Sequence, residues 1–376
     1  MSDNLQPRRA VPNSSRKTLL IIIVAVVLVI GLGTVAYFTG LFKQPTPAET
    51  PTVTPVQTTP SASPTPSPTP SPTPEPKPVW PLTGMEGDIV ERPALVVKVE
   101  NSYDARPQQG LENADIVFEE MVEGGISRLA AIFHSTIPAQ IAPIRSVRPM
   151  DGPIAGWTSG LLAFSGGQDP FIARAREDGL QIISMDWGAD GFSRVGWRPT
   201  PHDVVGDTAA FFAQADDSHQ SSPPVFASFA TGSAGSTAQR LGTMTSDISV
   251  QISPLATPVW TWDPSYGVWL RSEGADPALA ESGVQLSATN VLVLNVDVVT
   301  LPGTDAAGTH IPESIVVGEG AGLVASGQMS TTITWKKDSE TAPWQFFDAS
   351  GSPVDLLPGT TWVELVPNGS GSYSAS

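Results

Sequence analysis

Residues 114–135 read "ADIVFEEMVEGGISRLAAIFHS". Two runs rich in apolar and β-branched residues flank Gly124 and Gly125, which is the pattern of a β-hairpin. If the two glycines are the central residues of a two-residue turn, Glu123 pairs with Ile126, Met121 with Arg128, Glu119 with Ala130, Val117 with Ile132 and Asp115 with His134. Side chains alternate along a strand. One face then gathers Ile116, Phe118, Val122, Leu129, Ala131 and Phe133, with Glu120 as its misfit. The other gathers Asp115, Glu119, Glu123, Arg128 and His134. That polar face has two readings. It is a site with an oriented histidine, or a solvated sheet face whose ion pairs contribute about 0–1 kcal/mol each. A slip of one residue would exchange the two faces.

The hairpin predicts its surroundings. "ALVVKVEN" (94–101) reads as a buried strand, "GLLAFSGG" (160–167) as a strand ending in a glycine turn, and "QIISM" (181–185) as another strand. "PFIARARED" (170–178) reads as a short helix with Asp169 as N-cap. Strands interleaved with short helices predict an α/β or α+β domain over 81–235. Residues 236–246 read as a linker. From 247 to 368 the strand signals dominate, in "PVWTWDPSYGVWLRS", "NVLVLNVDVV", "GLVASG", "MSTTITWKK", "WQFFDASGSPVDL" and "TTWVELVP". They predict a mostly antiparallel β domain, followed by a tail over 369–376.

Before residue 81 the chain is of another kind. Residues 1–17 carry Arg8, Arg9, Arg16 and Lys17, and residues 18–42 are almost wholly apolar. This predicts a single transmembrane anchor with a cytoplasmic N-terminus and extracellular C-terminal domains. A signal peptide cut after Ala36 is the alternative, and the apolar run is long for one. Residues 43–80 are rich in proline, threonine and serine, so they predict a disordered, polyproline-like spacer reaching roughly 110 Å.

The net charge of −17 argues against a nucleic-acid partner, which would need a broad basic face. There are no cysteines, so thiol catalysis, disulfides and cysteine-bound zinc are excluded. The four histidines and the carboxylate spacing point to no metal or cofactor. Against this acidic background the arginines stand out. Arg145 and Arg148 lie in "APIRSVRPMDGP" (142–153), framed by Pro143 and Pro149, while Arg106 and Arg128 lie upstream. Guanidinium forks suit phosphate or carboxylate; pairing with local carboxylates is the plainer reading. In an extended 144–148 segment Arg145 and Arg148 would point to opposite faces; if Pro143 starts a helical turn, both lie on one side. His202, in "WRPTPHDVV", is a candidate general base. His134, Glu119 and Glu123 are further candidates for acid–base chemistry.

The run "ARPQQGLENADIVFEEMVEGGISRLAAIFHS", then "APIRSVRPMD", then "PHD" (201–203), resembles the bacterial YerB-like family of domains of unknown function. "NVLVL", "GEGAGLVASGQMSTTITWKK" and "FFDASGSPVDLLPGTTWVELVP" resemble that family's second domain. Asp203 and Ala142 depart from the family pattern of Asn and Gly, and the chain lacks the lipid-bearing cysteine typical of its members. The resemblance implies a membrane-tethered, extracytoplasmic protein and supplies no reaction. It marks Arg106, Glu119, Glu123, Arg128, Arg145, Arg148 and His202 as positions that match the family pattern. The expected role is binding an anionic envelope ligand, a cell-wall glycopolymer or its lipid-linked precursor, through Arg106, Arg128, Arg145, Arg148 and His202. An envelope-acting hydrolase or transferase, and a module that docks an envelope protein partner, are the alternatives.

Overall fold

The computed structural model describes residues 77–305 and 307–376. The expected tail and anchor, and all but the end of the spacer, lie outside the described residues. Among the described residues no helix is long and apolar enough to cross a membrane.

The expected strands form, and they meet in one sheet. From the first half come β1 (Leu95–Glu100), β2 (Ile116–Met121), β3 (Ser127–Phe133), β4 (Leu161–Phe164) and β5 (Gln181–Ser184). From the second half come β6 (Asn290–Thr304), β7 (His310–Ile315), β8 (Gly318–Ser326), β9 (Met329–Lys337) and β10 (Thr361–Pro367). Their order is β9-β8-β6-β10-β2-β3-β1-β4-β5, with β7 paired to β6. The seam is β10, which pairs in parallel with β6 on one side and β2 on the other. Every residue of β10 is buried, as a strand covered on both faces requires. The two segments expected as separate domains, 81–235 and 247–368, thus share one hydrogen-bonded sheet. The second half is β-rich and mostly antiparallel within itself; the pairing of β6 with β10 is parallel, as is the join of β10 to β2.

A second, six-stranded sheet packs beside it, built from Asp247–Gln251, Pro258–Asp263, Val268–Glu273 and their neighbours. The large sheet is apolar on both faces. One face packs Val96, Phe118, Ile132 and Phe164 with Trp157, Phe226 and Trp344. The other packs Val97, Leu129, Ala131 and Phe133 with Trp260, Trp269 and Trp362. Helices are few and short. The longest described one, α1 (Asp169–Glu177), follows β4 as predicted, with Gln168 rather than Asp169 at the N-cap position. Residues 236–246 are ordered, not a plain linker. Ser236 and Gln239 form a reciprocal capping box on the helix Thr237–Leu241, and Thr243–Met244 adds to β9.

The hairpin forms with its register shifted by one residue. Ile116 pairs with Ile132, Glu119 with Leu129 and Glu120 with Arg128. The loop has three residues, Glu123–Gly125, closed by a 2.8 Å bond from Val122 N to Ile126 O. Gly124 and Gly125 both take left-handed backbone, with φ of 72° and 77°. The extra loop residue is Glu123, whose carboxylate leaves the ladder to meet Arg148 at 2.7 Å. Glu119 and Glu120 lie on opposite faces in either register, as neighbours in a strand must, and each finds a buried partner, Arg271 for Glu119 and Lys98 for Glu120.

Candidate functional site

Six strands, β6, β10, β2, β1, β4 and β5, run in the same direction. Sites in such sheets form beyond the carboxyl ends of the strands. Here β1 and β4 pair only from Leu95 with Leu161 to Val97 with Ala163, and then they part. The proline-framed segment enters the gap. Glu100 N donates to Pro143 O and Arg145 N to Lys98 O, while Ser165 N donates to Arg145 O and Val147 N to Gly166 O. The segment is extended through Arg145 and turns at Pro149, so Arg145 and Arg148 both come close to Arg128 instead of facing apart. The peptide bonds before Pro107, Pro143 and Pro201 are cis, one in each of three segments that meet around Glu100.

Glu120, Arg128 and Glu100 are register partners in one row across β2, β3 and β1. Beside them Lys98, wholly buried, pairs with Glu120 and, at 2.7 Å, with Asp151 Oδ1. Burial lowers the Lys98 pKa to about 8, against the pull of Asp151. Asp151 Oδ2 accepts the backbone N–H of Arg148 at 2.6 Å. Arg145 Nε lies 3.2 Å from Glu100 Oε1, and His202 Nδ1 lies 2.8 Å from Glu100 Oε2.

Arg128 differs from its neighbours. It is buried, and among the described residues no carboxylate pairs with it. Its Nη1 donates to Ser146 O at 3.0 Å and its Nε has no partner. Burial, then Arg148 and Arg145, lower its pKa to about 9, against the pull of Glu123 and Glu100. A buried guanidinium with no carboxylate paired to it favours an added anion.

The opposite face holds a second network. Arg271 Nη2 donates to Glu119 at 2.6 Å and to Glu273 at 2.8 Å, and its Cζ lies 4.7 Å from the Trp362 ring. Burial opposes its charge, and Glu119, Glu273 and Glu364 more than offset that, so its pKa is raised. Glu364, the register partner of Glu119, accepts from Trp260 Nε1 at 2.8 Å. Burial, then the Glu119 carboxylate, push the Glu364 pKa well above the usual range. Arg106 belongs here, 3.1 Å from Glu273, on a cleft of about 640 Å³ that also exposes Tyr103 and Asp276.

Of the positions singled out in the sequence, Arg128, Arg145, Arg148, Glu123 and His202 converge. Arg106 and Glu119 lie in the second network. His134 lies at the far end of β3, where its Nε2 is 3.1 Å from Arg92 O and its ring meets Trp80 edge-on. Asp115 accepts the backbone N–H of His134, not its ring. The candidate acid–base groups are therefore divided among three places. Lys98, Asp151, Arg271 and Glu364 escape the sequence reading, and Glu120 enters it only as a misfit. For Lys98 and Glu364 the signal is a charge inside an apolar strand run, "LVVKVE" and "TWVELVP", which a buried partner must explain.

This is a mixed β-sheet protein with buried ion networks on both faces. The chain belongs to a family of unknown function, DUF3048. Residues 82–221 match its N-terminal domain and residues 248–363 its C-terminal domain. Among curated proteins it is similar to the putative lipoprotein YerB of Bacillus subtilis, 34% identical over 126 residues, which spans 32% of this chain and 38% of that protein. The crystal structure of B. subtilis YerB shares the fold. Its TM-score is 0.66 at 22% identity, and the match covers 79% of this chain and all of the solved one.

Proposed function

We propose that this chain is a membrane-tethered, extracytoplasmic envelope protein that binds an anionic group at Arg128, flanked by Arg145, Arg148 and His202. The observation that carries this is the Arg128 guanidinium, buried beside Arg145 and Arg148, with its Nε unpartnered and, among the described residues, no carboxylate paired to it, while Arg145 and Arg148 have Glu100 and Glu123. Arg145 and His202, partly exposed, give the approach from solvent. Envelope placement is supported by the relative's description as a putative lipoprotein, and by the apolar run 18–42 with the proline-rich run 43–80 as its tether. The chain's net charge of −17 makes the site a local one.

The test is calorimetric titration of the full chain with inorganic phosphate and with a phosphate-bearing wall polymer. Arg145→Ala retains the buried core and should weaken binding by about tenfold or more, the scale of one hydrogen bond to a charged group. Equal affinity of both forms would refute the assignment.

A further inference from the structure

The chain has ten tryptophans, and only Trp187 and Trp197 are exposed, at 51% and 58%. Each stands in a segment that hydrogen bonds link to the arginine cluster. Trp187 closes the turn Met185–Trp187 after β5. Its neighbour Asp186 donates its N–H to Ser165 O, and Ser165 N–H donates to Arg145 O. Trp197 lies in the loop that brings His202 to Glu100.

Each indole is held by a guanidinium. Arg176 Cζ is 5.1 Å from the Trp187 ring centre and Arg198 Cζ is 4.8 Å from that of Trp197. Arg198 is itself fixed, donating to Ala105 O at 2.9 Å and Pro107 O at 2.6 Å. An exposed ring already held in place loses little freedom when a ligand arrives. Exposed indoles add nothing to the capture of a bare anion. They present flat, polarisable faces, and the C–H faces of sugar rings stack on such surfaces. The arginine cluster is local, without the broad basic face that a nucleic-acid backbone needs.

We infer that the arginine cluster is the charged subsite of a longer site for an anionic glycan, with Trp187 and Trp197 as stacking platforms for its sugar rings. This rests on the reading of Arg128 and Arg145 given above.

The experiment titrates the full chain with three probes: sodium polyphosphate, a phosphodiester-linked hexose oligomer of equal charge, and the matching neutral hexose oligomer. The inference expects the phosphodiester oligomer to bind at least tenfold more tightly than polyphosphate. Trp187→Ala and Trp197→Ala should erase that difference and leave polyphosphate affinity unchanged, and Trp197→Phe should restore part of it. Equal affinity of the wild-type chain for the phosphodiester oligomer and polyphosphate overturns the glycan inference while the anion site stands. If the neutral oligomer binds as well as the charged one, or if no probe binds, the arginine reading falls and the glycan inference with it.

Discussion

Glu119 and Glu120 are adjacent in β2 and lie on opposite faces of the same sheet, Glu119 bonded to Arg271 and Glu120 to Lys98. Each pairing takes its carboxylate and its cation wholly out of water. Removing one member of such a pair strands the other, which costs more than the pair itself contributes.

Lys98→Met should therefore destabilise the protein by about 3–5 kcal/mol, because Glu120 and Asp151 lose their shared cation. Urea unfolding at neutral pH measures this. A loss below about 1 kcal/mol, the range of a solvated pair, would show that the network is open to water.

Glu364 gives a pH signature. Its folded pKa is raised by burial and by Glu119, so above the ordinary carboxylate range the unfolded chain releases a proton that the folded chain keeps. Its contribution is complete below about pH 4.5 and is lost as pH rises toward the folded value. Glu364→Gln, which keeps a neutral side chain able to accept from Trp260, should flatten the fall in unfolding midpoint above about pH 4.5. Parallel slopes for both forms would contradict a neutral Glu364.

His134 acts in the opposite sense. Burial lowers its pKa from 6.5 to about 4, so between these values the unfolded chain takes up a proton that the folded chain refuses. Stability is lost as pH falls through this window. His134→Phe should reduce that acid sensitivity, read from unfolding midpoints between pH 7 and pH 4. An unchanged profile would assign the acid sensitivity to other groups.

The hairpin loop makes a backbone prediction. Gly124 has a φ of 72°, and an added Cβ would meet nothing within 4 Å. Gly124→Ala thus isolates the cost of left-handed backbone, about 1–2 kcal/mol. Thermal unfolding of the variant checks this, and a neutral result would mean that the loop takes another turn in solution.

Elements whose signal is local were legible in the sequence. The strands in "ALVVKVEN", "MSTTITWKK" and "TTWVELVP" form where their β-branched runs stand. The helix after Pro170 also forms. The register of the hairpin was not legible. Both faces of 116–133 are apolar enough to be buried, so alternation alone cannot choose between registers one residue apart, and the misfit Glu120 was the visible symptom. Lys98 and Asp151 supply the cation and the third member that let Glu120 sit inside, and they come from 22 and 31 residues away in sequence.

The sequence by itself determined the strands, the acidic charge that confines any anion site to a local patch, and the exclusion of cysteine chemistry. Those properties follow from side-chain type and short-range spacing. Tertiary structure decided that β10 joins both halves into one sheet, that Glu119 and Glu120 serve separate networks, and that Arg145 and Arg148 approach Arg128 together. These depend on which distant strands pair and on which charges find partners away from water. Burial makes such pairings strong enough to override local alternation.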